Sequence, residues 1–372
     1  MATHALILHR GLRLATPDGH QAMGFPMYAD GLRAELGFTF ELREALDLEA
    51  TRRVLQEMDA GRFDLVIVML HWSVTPDEAA AFMEEVRAAY PHPKLVLLDY
   101  YAPTASPHFG VLPHIDGYWK RQVLRDHGPM IQPPRGGYVF TDYLVEHMGY
   151  DIGDWGFGSP ADPDHLHKVQ HCWNLGVTGR YRKMLSLSRF TLPWSARPFA
   201  VCRRLGKVQR TGEREWYQQY RDACLEKLEP IAARRRCTPV GSVPSKRYYA
   251  EMAMSRVVVS PFGWGELCFR DYEAVCLGAL LVKPSMEHLQ TSPDIFKPGE
   301  TYVPVAWDLS DLEETVEHYL AHPAEAKRIV REARRVLRGY YEAGGFVADI
   351  RRLLGPLGLV DDRHGDGSAG AA

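Results

Sequence analysis

Short runs of apolar residues, each followed by a loop and a helical pattern, recur along the first 150 residues. The longest is "LVIVML" from Leu65 to Leu70, and "ALIL" near the N-terminus and "KLVLL" at 94–98 are of the same kind. Strands that are apolar on both faces are typical of parallel sheets covered by helices on both sides. We therefore predict that residues 1–150 form a doubly wound α/β domain.

The helices of this half can be predicted from their first residues. A helical pattern runs from Pro26 to Leu36, after a polar loop that contains glycine. Farther along, Thr75, Pro76 and Glu78 have the residue types and the spacing of an N-cap, a first helical residue and a capping-box partner. The sequence therefore predicts a helix that begins directly after Thr75.

A second α/β series follows a looser segment. Residues 151–196 are rich in Gly, Pro and Asp and are predicted to connect two domains. Strand-like runs then return in "RPFAVC", "CTPVG", "RVVVS", "GALLVKP" and "ETYVPV", with helical patterns between them. A chain of 372 residues exceeds the size of about 250–300 residues at which single cores stop growing. We predict a second Rossmann-like domain over 197–335, C-terminal helices over 336–358 and a disordered tail over 359–372, with Ser310 and Glu313 as a capping box.

Charge and hydropathy narrow the possible partners. The net charge is -3 and no basic patch dominates the sequence, so neither nucleic acid nor an anionic membrane is predicted as a partner. No apolar run approaches the about 18 residues of a membrane span. The six cysteines form no CxxC pair, which favours reduced thiols and a cytoplasmic protein. No GxGxxG opens either domain, which disfavours a dinucleotide-dependent oxidoreductase.

The stretch "SPFGWGELCFRDYEAVCLGALLVKP", residues 260–284, combines glycines and charges beside a buried strand. The glycines let the backbone turn sharply, so a helix that starts near Glu266 would present its free N–H groups at the carboxyl edge of the sheet. Such a helix end suits a phosphate or a diphosphate. Gly278 has the position of the residue that ends this helix.

The charged residues of the stretch allow two interpretations. Glu266 lies four residues before Arg270, and Glu273 lies three residues after it, so all three could form an exposed ladder of ion pairs. They could equally face a bound ligand. The residue types alone do not decide between a solvated helix face and a binding site.

An ordered set of segments carries a family resemblance. "FRDYEAVCLG", "FKPGETYVPV" and "DLSDLEETV" follow one another here. Over about residues 198–335 the chain resembles the donor-binding half of GT-B glycosyltransferases, above all the exostosin-type, protein O-glucosyltransferase-like and spore-maturation-protein-like members. The resemblance implies a GT-B fold, with an N-terminal acceptor domain, a C-terminal donor domain and a cleft between them.

The same resemblance implies an activity. It is the transfer of a sugar from a nucleotide-sugar donor to a glycan, a lipid-linked or a small-molecule acceptor, as in polysaccharide biosynthesis, with no cofactor and no metal. Two rival functions stay open: a non-catalytic sugar-nucleotide or polysaccharide-binding protein of the same fold, and a nucleotide-sugar epimerase. An epimerase would turn over the donor with no acceptor at all.

The resemblance also assigns donor-binding residues. By position, Glu273 would accept hydrogen bonds from the ribose hydroxyls, while Arg270 and the loop amides from Gly263 through Gly265 to Glu266 would face the diphosphate. Retaining members often carry two glutamates separated by seven residues, whereas six residues lie between Glu266 and Glu273. The anomeric outcome therefore stays open.

Two loops of the second domain offer further donor contacts. Arg203 and Lys207 lie in a basic loop after the first strand of that domain, where similar enzymes place a cation beside the leaving phosphate. Val243 and Pro244 follow the next predicted strand and would contact the nucleobase. An ordinary solvated loop and a plain connection explain these residues nearly as well.

The acceptor needs a base, and the first domain offers candidates for it. Asp18 and His20 follow the first predicted strand, in a loop that would face the cleft. A carboxylate or an imidazole in that place can take the proton of an acceptor hydroxyl. Asp99 and His71, which follow two other strands, are the next candidates.

One pair of aspartates has the spacing of a metal-binding motif but does not follow a buried strand, as such a motif does. Asp162 and Asp164 have the spacing of a DxD metal site, but they lie in a proline-rich connection and do not follow a buried strand. The nearby His165, His167 and His171 do not share one helical face. We predict no metal site here.

Overall fold

A computed structural model describes residues 2–12, 16–133, 138–153, 157–187, 191–206 and 216–360 of the chain. Strands of the first half are β1 (Thr3–His9), β2 (Phe38–Glu44), β3 (Leu65–Val68), β4 (Lys94–Asp99), β5 (Gly117–Lys120), β6 (Gln122–Leu124) and β7 (Val169–His171). Its helices are α1 (Pro17–Ala22), α2 (Gly24–Met27), α3 (Ala29–Leu36), α4 (Leu48–Glu57), α5 (Pro76–Ala89), α6 (Val139–Met148) and α7 (Gly179–Leu187).

The second half continues the alternation of strands and helices. Its strands are β8 (Phe199–Cys202), β9 (Ser255–Val259), β10 (Leu280–Pro284), β11 (Leu289–Thr291) and β12 (Val303–Val305). Its helices are α8 (Trp216–Arg234), α9 (Ser245–Ala253), α10 (Phe269–Leu277), α11 (Leu312–Ala321), α12 (Pro323–Glu342) and α13 (Gly345–Leu354).

Two parallel sheets organise these elements. The first has the order β2-β1-β3-β4-β5-β7 and the second the order β12-β10-β9-β8, and every pair of neighbours in both is parallel. The prediction of an α/β fold with parallel sheets is therefore confirmed. In the first sheet the order of the strands reverses between β1 and β3, and such a reversal point is where open α/β sheets bind ligands.

Both faces of the first sheet are buried, as the apolar runs predict. Leu6 and Leu8 of β1 belong to one apolar cluster, while Ala5 and Ile7 belong to another on the opposite face. Helix α13, near the C-terminus, packs its Phe346 into this second cluster. The last described helix thus returns to the first sheet.

The two sheets are joined by more than the chain connection. Strand β6 of the first half and β11 of the second half pair antiparallel, with Gln122 opposite Thr291 and Leu124 opposite Leu289. One apolar cluster contains core residues of both sheets. We call the β6–β11 pair the interdomain ribbon.

Several local predictions can be compared with this structure. Thr75 caps α5, and both hydrogen bonds of the capping box with Glu78 are present, so that prediction is confirmed. The predicted box at Ser310 and Glu313 is wrong, because the Ser310 hydroxyl bonds to the Asp308 carboxylate and the helix begins only at Leu312.

The helix predicted from Pro26 to Leu36 is in fact two helices, α2 and α3. They are separated at Tyr28, whose φ of -116° and ψ of 19° are not helical. The loop predicted before them contains α1, which Thr16 caps by accepting a hydrogen bond from the Gly19 N–H. The edge strand β2 was not predicted at all.

The strand predicted at "CTPVG" does not form, although two backbone hydrogen bonds join this segment to β8. The Ala200 N–H of β8 donates to the Arg236 carbonyl, and the Thr238 N–H donates to the Val201 carbonyl. These two bonds hold the segment beside β8 without continuing as a ladder. Of the predicted tail, residues 361–372 lie outside the described residues.

Candidate functional site

The glycine-containing loop at 260–268 lies between the two halves of the molecule. Helix α10 begins at Phe269, so the predicted start near Glu266 is wrong. The Glu266 carboxylate is fully buried and accepts hydrogen bonds from Thr104 Oγ1 at 2.9 Å and from Gln122 Nε2 at 2.7 Å. Since both donors belong to the first half, Glu266 connects the two halves, and the exposed ion-pair ladder predicted through it is wrong.

Gly265 brings this loop into direct contact with the backbone of the first half. A Cβ at Gly265 would lie 2.1 Å from the carbonyl oxygen of Ala102, a distance that no real Cβ contact shows. The Tyr138 hydroxyl donates to the Gly263 carbonyl at 3.3 Å. The glycine is needed here for the close approach of two backbones, as well as for any turn.

A cavity of about 360 Å³ opens on the other side of the loop. Four of the predicted donor residues line it, namely Gly263, Arg270, Glu273 and Val243; the remaining lining residues are Arg221, Ser245, Tyr248, Tyr249, Pro261, Cys268 and Phe269. Pro244 lies between the lining residues Val243 and Ser245, whereas Gly265 and Glu266 are not among the residues that line the cavity. We call this cavity the α10 pocket.

Two cations face this pocket. Neither Arg221 nor Arg270 forms an ion pair with a carboxylate of the described residues. Burial lowers the pKa of Arg221, and the neighbouring Arg270 lowers it further. Two guanidinium groups that line one cavity with no carboxylate partner among the described residues favour the binding of an anion. Arg221 lies inside the long helix α8, where no sequence pattern marked it as a site residue.

Glu273 is the anionic group of the α10 pocket, and it is already paired. Its Oε1 accepts from Arg180 Nη2 at 2.8 Å and from the Tyr249 hydroxyl at 3.0 Å. Its exposure is only 4%. Because Arg180 neutralises this carboxylate, the excess charge of the pocket is positive. Arg180 belongs to α7, in the predicted connection, and was not predicted.

The basic loop after β8 has other partners in the structure. Arg203 Nη1 donates to Glu229 Oε1 at 2.8 Å, and its Nε donates to the Thr238 carbonyl at 3.3 Å. Neither Arg203 nor Glu229 lines the α10 pocket. Lys207, the other cation predicted there, lies outside the described residues.

Charged residues also gather at the reversal point of the first sheet. Asp18 is partly exposed in α1, directly after β1, and His71 follows β3. Burial lowers the pKa of His71 and the nearby Arg10 lowers it further, whereas the charge of Asp18 raises it. Arg10 and Asp18 are therefore both close enough to act on the charge of His71, at the carboxyl edge of β1 and β3.

The other predicted bases are buried. His20 has 1% exposure, and its ring lies 4.7 Å from the ring of Phe269, at the start of α10. Asp99 accepts from Lys120 Nζ at 2.9 Å and from the Tyr118 hydroxyl at 2.8 Å, and both members of this ion pair are fully buried. Asp99 therefore belongs to a buried polar network inside the first half.

Within the described residues, no group of three or more His, Cys, Asp or Glu side chains is arranged to hold a metal ion. The Asp162 carboxylate instead accepts from the Asp164 N–H at 3.0 Å and caps a short helical turn. None of the helices in the described ranges combines the length and the apolar character needed to cross a membrane. All six cysteines are free thiols.

These elements can now be compared with known proteins. Residues 188–344 match the model of the Glycosyl transferase-like family. The match spans β8 to α12 and covers less than half of the chain. Every residue that lines the α10 pocket lies within it. No curated protein matches the sequence.

Solved structures that are similar to this chain have low sequence identity. An α-glucosyltransferase in complex with UDP and a DNA is 12% identical with a TM-score of 0.49, over 94% of this chain and 100% of that one. Sucrose-phosphate synthase from Thermosynechococcus elongatus is 13% identical with a TM-score of 0.48, over 96% of this chain and 99% of that one. A UDP-GlcNAc 2-epimerase from Neisseria meningitidis is 10% identical with a TM-score of 0.40, over 92% of this chain and 99% of that one.

Proposed function

We propose that this protein is a glycosyltransferase that takes a sugar from a nucleotide-sugar donor, in the manner of GT-B enzymes. The observation that carries the proposal is the α10 pocket, where Arg221 and Arg270 lie near the buried carboxylate of Glu273. The match of residues 188–344 to a glycosyl transferase-like family supports it. A nucleoside diphosphate has the two features that such a pocket can recognise, a doubly charged phosphate group and a ribose diol.

The contacts suggest how the donor would bind. The diphosphate would lie against Arg221, Arg270 and the N-terminal end of α10, where the free N–H groups add partial positive charge. Both described hydrogen bonds to Glu273 fall on Oε1, so Oε2 is the oxygen we assign to the ribose hydroxyls. Val243 lines the same pocket and would contact the nucleobase, with Pro244 beside it.

The same residues suggest transfer without a metal. When the sugar leaves, negative charge grows on the departing diphosphate, and preorganised cations at that place stabilise it. Arg221 and Arg270 can supply this charge themselves. We therefore propose a metal-independent transferase with a glycan, lipid-linked or small-molecule acceptor.

For the acceptor, we propose the edge of the first sheet between β1 and β3. Asp18 is partly exposed there, whereas His20 is buried under Phe269. A general base has to reach the acceptor hydroxyl. We therefore propose Asp18 as the base, and His20 as a side chain that positions Phe269 at the pocket.

The donor assignment is tested by binding. Glu273→Ala is expected to weaken the binding of a nucleoside diphosphate by about 1–3 kcal/mol, the usual cost of losing a charge-assisted hydrogen bond. Calorimetric titration with UDP, GDP and ADP, each with and without a chelator, would measure it. Binding that survives chelation supports the metal-independent site.

A matched control is available at Glu229. This glutamate is also paired with an arginine, Arg203, at 2.8 Å, but it lies outside the α10 pocket. Glu229→Ala should leave nucleotide affinity unchanged. Equal affinity of the folded Glu273→Ala variant and the wild type would remove the ribose assignment. Donor turnover with no acceptor would indicate an epimerase, and binding without any turnover would indicate a binding protein.

A further inference from the structure

Helix α12 carries a dense row of arginines. A groove of about 840 Å³ is lined by five arginines and only two glutamates: Arg328, Arg331, Arg334, Arg335, Arg338, Glu300 and Glu332. Four of the arginines recur at intervals of three or four residues, which places them on one side of the helix. The net charge of the whole chain is -3, so this local positive charge is a departure from the rest of the molecule. No such local patch was predicted from the sequence.

The positive charge of this row is poorly compensated. Arg331 and Arg338 form no ion pair with any carboxylate of the described ranges, while Arg335 is paired with Glu332. Burial lowers the pKa of Arg334, and the neighbouring Arg338 lowers it further. Burial and then Arg334 lower the pKa of Arg197 to about 10. Arg331 and Arg338 are exposed, and unpaired cations at a surface favour an anionic partner.

The row continues onto helix α7. A second groove of about 340 Å³ lies between the two helices, with Arg182, Leu185 and Ser186 on one side and Arg338, Tyr341 and Glu342 on the other. Because Arg338 lines both grooves, they form one continuous surface.

Exposed leucines lie at the end of this surface. Leu187, the last residue of α7, is 56% exposed, and Leu192 is 47% exposed. The Leu192 carbonyl accepts from Arg197 Nε at 3.2 Å. The guanidinium groups of Arg197 and Arg334 both lie beside Gly278, so Leu192 lies near the α12 row.

The combination of cations and exposed leucines distinguishes between partners. The phosphates of a nucleic acid or of another soluble polyanion bind cations, and they make no favourable contact with exposed leucines. The boundary between lipid headgroups and acyl chains takes up apolar side chains, while the phosphates above it attract arginine and lysine. We call the surface of Arg182, Leu187, Leu192, Arg331, Arg334, Arg335 and Arg338 the basic face.

We propose that the basic face binds the surface of a membrane that contains anionic phospholipids. The arginines contact lipid phosphates, and Leu187 and Leu192 enter the headgroup boundary. This binding does not depend on the proposed sugar transfer. Helix α7 nevertheless connects the two sites, because Arg180 near its N-terminus pairs with Glu273 in the α10 pocket.

The test is co-sedimentation of the full chain with vesicles. Vesicles of phosphatidylcholine with phosphatidylglycerol are expected to bind the protein, and vesicles of phosphatidylcholine alone are not. Added salt should weaken the binding. The double variant Arg331→Glu/Arg338→Glu should bind at least about tenfold more weakly. Leu187→Ser/Leu192→Ser should also weaken binding about tenfold, because it removes the apolar contact.

A matched control uses two exposed arginines of the first half. Arg33 and Arg53 form no ion pair with the described carboxylates, and Arg33→Glu/Arg53→Glu makes the same change of charge away from the basic face. This variant should bind anionic vesicles like the wild type. All variants should keep the wild-type melting temperature and nucleotide affinity, which separates this test from that of the α10 pocket.

Three results would overturn the proposal. The first is a wild-type protein that does not bind anionic vesicles. The second is undiminished binding by the folded Arg331→Glu/Arg338→Glu variant or by the leucine variant. The third is binding to a short DNA duplex with none to vesicles, which would assign the basic face to a soluble polyanion.

Discussion

Gly265→Ala is expected to destabilise the folded protein by about 3 kcal/mol, at the upper end of the usual cost of overpacking. A methyl group at this position would lie 2.1 Å from the carbonyl oxygen of Ala102. This oxygen is part of the backbone, so it cannot turn away as a flexible side chain would. Relief requires the loop at 260–268 to move off the first half, which also strains the buried bonds of Glu266 to Thr104 and Gln122. Chemical denaturation followed by fluorescence would measure the loss.

The control for this substitution is Gly339→Ala. Gly339 lies inside α12 with no atom within 4 Å of the added methyl group. Alanine in a helix interior is more favourable than glycine by about 0.5–1 kcal/mol, so this variant should be slightly more stable than the wild type. If Gly265→Ala proved as stable as Gly339→Ala, the close contact between the two halves would be contradicted.

Asp18→Asn is expected to lower the rate of sugar transfer about 100-fold or more, the usual contribution of a general base. Asparagine keeps the shape of aspartate but cannot take a proton at neutral pH. Because Asp18 lies on the acceptor side in this proposal, the affinity for the donor should not change. Steady-state kinetics with an acceptor that the enzyme uses would measure the rate of transfer, and nucleotide titration would measure the donor affinity separately.

Asp30→Asn is a suitable control, because Asp30 is an exposed helical aspartate of α3. It should leave both quantities unchanged. His20→Ala completes the comparison, since His20 packs against Phe269. A large loss of turnover in His20→Ala with none in Asp18→Asn would transfer the role of base to His20. Normal turnover in both folded variants would remove both residues from the mechanism.

The strand framework could be predicted from the sequence because its signal is local. A strand such as β3, buried on both faces, has four consecutive apolar residues and needs no knowledge of its neighbours. The cap at Thr75 is likewise formed by residues three positions apart. Elements whose pairing depends on distant partners were harder to predict from the sequence. Strand β2 lies at the edge of its sheet, and only its first residue is fully buried.

The side chains of the candidate site show the same difference between residues with a local sequence signal and residues whose partners are distant in the sequence. Arg270 and Glu273 were assigned to the donor site through the family resemblance, whose motif lies on the one short helix that carries both residues. Arg180 and Arg221 reach the same pocket from α7 and α8, and nothing near them in the sequence marks the pocket. Glu266 was misread for the same reason. Its partner Thr104 is 162 residues away, and local spacing could suggest only an exposed helix ladder or a position that faces a ligand.

The interdomain ribbon limits how the protein can be divided and how it can move. Its three residue pairs, Leu124 to Leu289 among them, tie segments that are far apart along the chain. A cleft that opens for a ligand must therefore pivot about this ribbon, since a plain separation of the halves would break it. Cutting the chain at the predicted boundary near residue 197 would leave each fragment with an unpaired strand edge and uncovered core. Such fragments should be recovered as a complementing pair when they are produced together, and should precipitate when they are produced separately.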